Sequence, residues 1–284
     1  MSTGPLTILE VALNGPWGPV QQPGIPVSIR SIVSEAVACV KAGAAVVHVH
    51  PYDERTGKQN DDFDTYRAII EGIKEKVDVI VYPSAPFIEK DSGGRFDVTR
   101  RLAEAGLLEW ATVDPGSTNI VRFTDLTANM DGFVYTNGCA TIRAGLEVAQ
   151  QYGFRPAYAC YEPGFVRLGA ALHALYPRAP IPLYRLMFSE EFTFGFPPTE
   201  NALAAYKSLL QSVAPNAPVM VSGLGVDITP LIPAAIGHGM HVRVGLEDQP
   251  LGSNLTNIYL VERGIKAILN AGGQPATPSQ ARGI

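Results

Sequence analysis

Residues 44–50, Ala44-Ala45-Val46-Val47-His48-Val49-His50, form an apolar run that predicts a short buried β-strand ending in two histidines. Before this run, residues 29–42 repeat apolar side chains with the spacing of a helix that has one apolar face. Gly43 stands between the two segments, where a glycine commonly follows the C-cap of a helix. The stretch therefore predicts a helix, a glycine turn and a strand in succession.

The same alternation of strand-type and helix-type segments recurs along the chain. Strands are predicted at 6–13, 44–50, 78–83, 110–113, 156–160, 181–188, 219–222 and 240–246. Helices are predicted at 29–42, 62–77, 98–105, 141–152, 165–175, 199–213, 229–236 and 254–271, and Ser28 and Thr199 are expected at helix entries. Eight strands, each followed by a helix, predict one α/β domain over residues 1–284, a single (β/α)8 TIM barrel. A doubly wound open sheet is the alternative, but Asn14-Gly15-Pro16-Trp17 follows the first strand instead of a Gly-x-Gly-x-x-Gly turn.

Composition limits the classes of function. The chain has 284 residues, of which 46% are hydrophobic, and a net charge of −5, so a nucleic-acid partner is not expected. Its three cysteines are odd in number and widely spaced, which predicts no disulfide framework and fits a reducing compartment. Residues 1–5 show no signal-peptide pattern, and no apolar run reaches the roughly 18 residues that span a bilayer. We therefore expect a cytoplasmic protein without a membrane partner.

Two motifs are expected to meet at one end of the barrel. His48 and His50 project from the same face of their strand, because side chains alternate along a strand. Glu247 and Asp248 end the last predicted strand, and the carboxyl ends of barrel strands share one face. Two imidazoles and one carboxylate make a set that leaves Zn²⁺ an open position for substrate. The plainer alternatives are histidines that cap a strand and a solvated acidic loop.

Several polar residues in and after apolar runs have two possible roles. An arginine within an apolar run costs free energy to bury unless it contacts a carboxylate or an anionic ligand. Arg243 is therefore expected to be either an ion-pair partner or a substrate anchor. Close to Asp248, it can hold that carboxylate ionised as a general base. Glu10 is expected to point into the barrel, where Arg243 or the backbone can satisfy it. Asn14 either contacts a ligand or caps a turn, and the turn 51–53 offers the phenol of Tyr52 and the carboxylate of Asp53, which can orient the imidazoles. Residues expected to be structural, at the surface or in ion pairs are Arg143, Arg155, Arg167, Arg185, His173, His238 and His241.

Taken together, these motifs resemble the β-keto acid cleavage enzyme family. The resemblance runs along nearly the whole chain and rests on residues 13–15, 42–50, 111–117, 242–248 and 276–282. It implies a zinc-bearing barrel, an acyltransferase that takes a β-keto acid and acetyl-CoA and gives acetoacetate and a new acyl-CoA. It also implies a homo-oligomer, a tetramer.

The resemblance assigns roles to individual residues. It implies His48, His50 and Glu247 as zinc ligands, and Asp248 and Arg243 as the catalytic base and its partner. The positions expected to bind substrate are Glu10, Asn14, Trp17, Ser84, Thr112 and Asp114. Family members often carry Asn where this chain has Asp114.

Trp17 marks a departure from the family's best-known member, which cleaves 3-keto-5-aminohexanoate. In that enzyme a glutamate after the first strand meets the substrate ammonium group, and Trp17 stands near the corresponding place. An indole cannot form that ion pair, so the resemblance implies a different substrate with a neutral or apolar tail. Stacking of Trp17 on a cation stays open as an alternative.

Two other functions compete with this interpretation. Zinc hydrolases of the amidohydrolase type also use His-x-His in a barrel, but on the first strand and with a lysine on a middle strand. Here the pair belongs to the second predicted strand, and no lysine ends a middle strand. The non-enzymatic alternative is a barrel that binds a metal or metabolite without turnover.

Overall fold

The computed structural model describes residues 4–86 and 94–284, so residues 1–3 of the segment checked for a signal peptide lie outside the description. Eight parallel strands form one sheet: β1 Leu9–Ala12, β2 Val46–Val49, β3 Ile80–Pro83, β4 Trp110–Thr112, β5 Arg155–Cys160, β6 Leu183–Phe188, β7 Val219–Gly223 and β8 His241–Val244. Each is followed by a helix: α1 Ile29–Lys41, α2 Phe63–Lys74, α3 Asp97–Glu104, α4 Cys139–Tyr152, α5 Pro163–His173, α6 Glu200–Val213, α7 Ile232–Gly237 and α8 Asn257–Asn270.

The strands lie in the order β3-β2-β1-β8-β7-β6-β5-β4, and the two end strands, β3 and β4, lie side by side. The predicted (β/α)8 barrel is therefore confirmed, and the doubly wound alternative is wrong, because the strands follow chain order around one cylinder. Ser28 and Thr199 cap α1 and α6 by accepting from backbone N–H groups of the first turn, as predicted. Among the described residues, no helix has the length and apolar character needed to cross a membrane.

Several short helices and strands lie outside the eight barrel strands and their helices, and they were not predicted from the sequence. Helices Gly18–Gln21 and Phe123–Thr127 lie in the loops after β1 and β4, and Pro278–Arg282 follows α8. The 3-10 helices are Gly94–Phe96 and Thr229–Leu231. Antiparallel pairs join Tyr52–Asp53 to Lys58–Gln59 and Thr118–Ile120 to Phe133–Tyr135. The predicted first strand is divided, because Leu6–Thr7 pairs with Gln274–Pro275 rather than with the barrel.

Side chains bridge the seam between β3 and β4, where no backbone ladder is seen within the described ranges. At the carboxyl end of the strands, Thr112 Oγ1 donates to the Pro83 carbonyl oxygen at 3.0 Å. At the opposite end, Arg282 pairs with Asp78 before β3, at 2.8 Å, and also with Glu109 before β4. The seam is thus held at both ends by side chains.

The segment after α8 closes the amino-terminal end of the barrel. Ala276 and Ala281 join an apolar cluster with residues from the starts of the strands, among them Ile8, Ile80 and Trp110. This packing fills the lower barrel and leaves the carboxyl ends of the strands as the face where a site can form.

Candidate active site

A cavity opens at the carboxyl ends of the strands, the face on which barrel enzymes carry their active sites. The candidate residues that line it are Trp17, His48, His50, Ser84, Thr112, Asp114, Arg243 and Glu247. Three other candidates, Glu10, Asn14 and Asp248, are buried next to it but do not line it.

His48, His50 and Glu247 bring three ligand atoms together. The distance between the two Nε2 atoms is 3.2 Å, and Glu247 Oε2 lies 3.6 Å from that of His48 and 3.5 Å from that of His50. Ligand bonds of about 2.0–2.1 Å at tetrahedral angles put zinc ligand atoms about 3.3–3.4 Å apart. Glu247 Oε2 is buried without a hydrogen-bond partner among the described residues. The three side chains therefore fit one face of a tetrahedral zinc site.

The protonation states of His48 and Glu247 favour metal binding. Burial, despite the nearby carboxylate of Glu247, holds the pKa of His48 well below its usual range, so its imidazole is neutral. Burial alone would raise the pKa of Glu247, but Arg243 and then the histidines hold it well below its usual range. Neutral imidazoles and an ionised carboxylate are the forms that bind a metal ion.

Gln59 orients His50, a role that the sequence had assigned to the turn with Tyr52 and Asp53. The Tyr52 hydroxyl donates to the Gly15 carbonyl, and Asp53 accepts from backbone N–H groups of its own turn, so that expectation is wrong. Gln59 Oε1 instead lies 2.9 Å from His50 Nδ1. The antiparallel pairing of Tyr52 with Gln59 brings this amide back to the strand end, which local sequence spacing did not indicate.

Asn14 holds the backbone of the second histidine. Its Oδ1 accepts from His50 N at 2.9 Å, and its Nδ2 donates to the carbonyl oxygens of His50 at 2.8 Å and Pro26 at 3.0 Å. Of the two roles left open by the sequence, the observed contacts are those of a residue that fixes the end of β2.

Arg243 is the centre of a buried charge network. Its Nη2 lies 2.8 Å from Glu247 Oε1 and 2.6 Å from Asp248 Oδ1, and its Nη1 lies 3.5 Å from Glu10 Oε1. Burial raises the pKa of Asp248 to about 6, although Arg243 beside it acts in the opposite direction. Arg243 itself lines the cavity, so it contacts carboxylates on one side and can face a ligand on the other.

Glu10 points into the barrel, as alternation along the strand predicted. It is fully buried, and its Oε1 accepts from the Tyr82 hydroxyl at 2.6 Å and lies 3.8 Å from Arg185 Nη1. Arg185 is 2% exposed and lines the cavity, so placing it among surface or ion-pair residues missed its second role. The available signal was an arginine inside the apolar strand 181–188, at the same parity as Met187, which also lines the cavity.

Part of the cavity wall is mainly apolar and aromatic. Trp17 is fixed there, because its indole N–H donates to the Glu247 carbonyl oxygen at 3.0 Å and its ring stacks on Phe192 at 5.5 Å. Asp114 accepts from the Tyr135 hydroxyl at 2.7 Å and from Ala159 N at 2.8 Å, and burial raises its pKa. Other residues of this wall are Ile120, Phe133, Tyr161, Met187 and Leu224. Several come from the loop hairpin after β4, which the sequence analysis did not predict.

The chain is similar to known proteins along nearly its whole length. The sequence profile of the family described as beta-keto acid cleavage enzyme matches residues 6–284. The 3-keto-5-aminohexanoate cleavage enzyme of Fusobacterium nucleatum is 28% identical, over 92% of this chain and 90% of that protein. The 3-dehydrocarnitine:acetyl-CoA trimethylamine transferase of Rhizobium meliloti is 26% identical, over 91% and 88% of the two chains. The 3-oxoadipate:acetyl-CoA acetyltransferase of Cupriavidus necator is 25% identical, over 98% and 93%.

A solved structure shares the fold. The ternary complex of ObcA with a C4-CoA adduct and oxalate superposes with a TM-score of 0.74 at 18% identity, over 92% of this chain and 67% of that one.

Proposed function

The chain belongs to the β-keto acid cleavage enzyme family and is an enzyme of the acyltransferase type, and from this premise we propose that it is a zinc enzyme for β-keto acids with an uncharged tail. The co-substrate is acetyl-CoA, and the products are acetoacetate and a new acyl-CoA. We further propose that residues 1–284 act as one catalytic domain in a cytoplasmic homotetramer. The hydrolase and the non-catalytic barrel are set aside, because the named relatives are cleavage enzymes and acetyl-CoA transferases.

The observation that carries the proposal is the triangle of ligand atoms at the cavity wall. His48, His50 and Glu247 supply three ligands on one side and leave the cavity side open. A zinc ion held by these three residues would supply a Lewis acid for the keto oxygen, which would make the carbon between the ketone and the carboxylate more acidic. Ser84 and Arg185 line the same cavity and offer a hydroxyl and a guanidinium to the substrate carboxylate, whereas the Thr112 hydroxyl already donates to the Pro83 carbonyl oxygen.

Asp248 is the proposed base. Its pKa of about 6 suits a group that accepts a proton near neutral pH. The bidentate contact with Arg243, through Nε at 3.0 Å and Nη2 at 2.6 Å, fixes the carboxylate. Arg243 lines the cavity and Asp248 lies behind it, so the proposed proton transfer from the substrate to Asp248 requires a path past the arginine.

The reaction then exchanges two acyl groups. The carbon deprotonated by Asp248 attacks the acetyl thioester, a carbon–carbon bond forms and the CoA thiolate leaves. That thiolate attacks the original ketone, and cleavage of the neighbouring carbon–carbon bond gives the new acyl-CoA. The other fragment takes up a proton and is released as acetoacetate.

The uncharged tail is inferred from the apolar wall. Trp17 is held rigidly, and Ile120, Met187 and Leu224 lie on the same wall. Asp114, the carboxylate on this wall, already accepts from two neutral donors. Apolar contact contributes about 25 cal/mol per Å² buried, which favours tails that bury carbon. In a panel of β-keto acids, a higher kcat/KM for an aminated or quaternary ammonium tail would contradict this assignment.

Acetyl-CoA carrying ¹³C at both acetyl carbons tests the reaction. Carbon NMR is expected to show the label in carbons 3 and 4 of acetoacetate, while the substrate supplies carbons 1 and 2. Label in the new acyl-CoA or in free acetate would exclude this route. The double variant His48→Ala, His50→Ala is expected to lose zinc and activity together, and full zinc occupancy in that variant would exclude the ligand assignment.

A further inference from the structure

A second cavity adjoins the one that carries the proposed ligands, and we name it the outer cavity. The two cavities share walls formed by Pro16, Trp17, Ile120 and Phe133. A molecule that extends along both must pass these four residues. The outer cavity is thus the approach to the reacting centre from one side.

The chemistry of the outer cavity suits a neutral chain that carries amides. Beyond the shared residues, its described wall includes the apolar side chains of Met130, Phe192 and Leu251 and the amide side chain of Gln21. The Gln59 amide also borders it but is already engaged by His50 and Asp61. Carbon-rich surface matches methyl and methylene groups, and a primary amide can pair with another amide as donor and as acceptor.

The charges of this cavity cancel. Arg122 is the one cationic residue among the described residues that line it, and Asp125 lines it as well. The Arg122 guanidinium donates to Asp125 through Nε at 2.9 Å and through Nη2 at 2.7 Å, and it also lies 3.5 Å from Glu191. A guanidinium engaged in this way is not available to a phosphate. The outer cavity is therefore matched to a neutral ligand segment and not to a nucleotide.

Apolar surface at the rim remains open to solvent. Met130 is 53% exposed although its side chain borders the cavity. An occupant that covers such surface gains binding free energy in proportion to the area removed from water.

We propose that the outer cavity binds the pantetheine arm of acetyl-CoA, an inference that rests on the proposed function. Pantetheine is an uncharged extended chain with a dimethyl group and two amides, which corresponds to the lining described above. Its thioester end reaches the inner cavity past the shared wall at Trp17 and Phe133. The phosphorylated adenosine lies beyond the rim, because the lining offers it no available cation.

Kinetics with three acetyl donors test the proposal on the intact protein. Met130→Asp and Leu251→Asp place a charge in the neutral lining, and Leu175→Asp is the matched control at a residue 61% exposed that borders neither cavity. The donors are acetyl-CoA, S-acetylpantetheine and S-acetyl-N-acetylcysteamine, which lacks the dimethyl-bearing half of the arm.

For Met130→Asp and Leu251→Asp we expect KM to rise about tenfold for acetyl-CoA and for S-acetylpantetheine, through the loss of one apolar contact. KM for the short thioester and for the keto acid is expected to stay unchanged, and the control to match the parent protein. An unchanged KM for acetyl-CoA in both variants, or a rise confined to the keto acid, overturns the inference and leaves the proposed function intact. A parent protein that forms no acetoacetate from acetyl-CoA overturns both. An altered oligomeric mass with unchanged KM assigns the rim to a subunit contact and also overturns the inference.

Discussion

Replacing Gln59 by leucine is expected to weaken zinc binding without removing a ligand. Gln59 Oε1 accepts from His50 Nδ1 at 2.9 Å, while its Nε2 donates to Asp61 at 2.8 Å. The donor contact fixes the orientation of the amide, so oxygen faces the imidazole. The proton of His50 is thereby held on Nδ1, and Nε2 keeps its lone pair for the metal.

The expected magnitude follows from these contacts. A hydrogen bond contributes about 1 kcal/mol net, which is about a fivefold change in an equilibrium constant. Loss of the acceptor also frees the ring to rotate and to change tautomer, which weakens the ligand further. We therefore expect Gln59→Leu to raise the zinc Kd about tenfold, at the lower end of the roughly 10–100-fold range for residues that support metal ligands.

Competition with a chromophoric chelator at fixed pH measures this Kd. Gln59→Glu is the matched variant, because it keeps an oxygen acceptor at the same position, and we expect it to bind zinc at least as tightly as the parent. Equal zinc affinity in Gln59→Leu and the parent would refute the reasoning. If Gln59→Leu also unfolds at a lower urea concentration than the parent protein, the weaker zinc binding would be explained by loss of the pairing between Tyr52–Asp53 and Lys58–Gln59. It would then not be evidence for the contact with His50.

Three further changes have defined expected outcomes. Asp248→Asn is expected to keep zinc and lower kcat about 10²–10⁴-fold, since an amide cannot accept the proton; near-normal kcat would move the base elsewhere, with Glu10 as the next candidate. Gly245→Ala is expected to lower the free energy of unfolding by about 3 kcal/mol in urea titration, because Gly245 has φ +143° and an added Cβ would lie 2.0 Å from the Ala12 carbonyl oxygen; a wild-type midpoint would contradict this. Arg282→Ala is expected to lower the free energy of unfolding by about 1 kcal/mol and Tm by about 2–3 °C, the modest effect of half-exposed ion pairs; unchanged calorimetric unfolding would show that the seam does not depend on them.

The barrel and its metal-binding group were predictable because both depend on local order along the strands. His48 and His50 are two residues apart on one strand, so alternation alone placed them together. Glu247 follows β8, and the fold brings the ends of β8 and β2 to the same face on either side of β1. The proximity of the two histidines and Glu247 could therefore be predicted from the fold class and the order of the strands alone.

The supporting residues were not predictable in this way. Gln59 and Tyr135 reach the site through short antiparallel pairs in the loops after β2 and β4, and neither residue directly follows a strand of the barrel in the sequence. Such pairings depend on the path of the loop across the barrel mouth, which spacing in the sequence does not encode. Arg185 differs from them, because it stands inside a strand and the parity rule applied to Glu10 would have placed it in the interior.

The order of strands around the cylinder has a consequence for how the chain matures during synthesis. β1 lies between β2 and β8, so its second neighbour is made only when residues 241–244 emerge from the ribosome. The ion pairs of Arg282 across the β3–β4 seam form later still, because Arg282 lies beyond α8. A sheet formed by the strands made before then would have unpaired edges, through which a β-sheet is prone to join another chain. Glu247 also follows β8, so the zinc-binding group is completed only as the ring closes, and a growing chain cannot hold the metal at full strength before then.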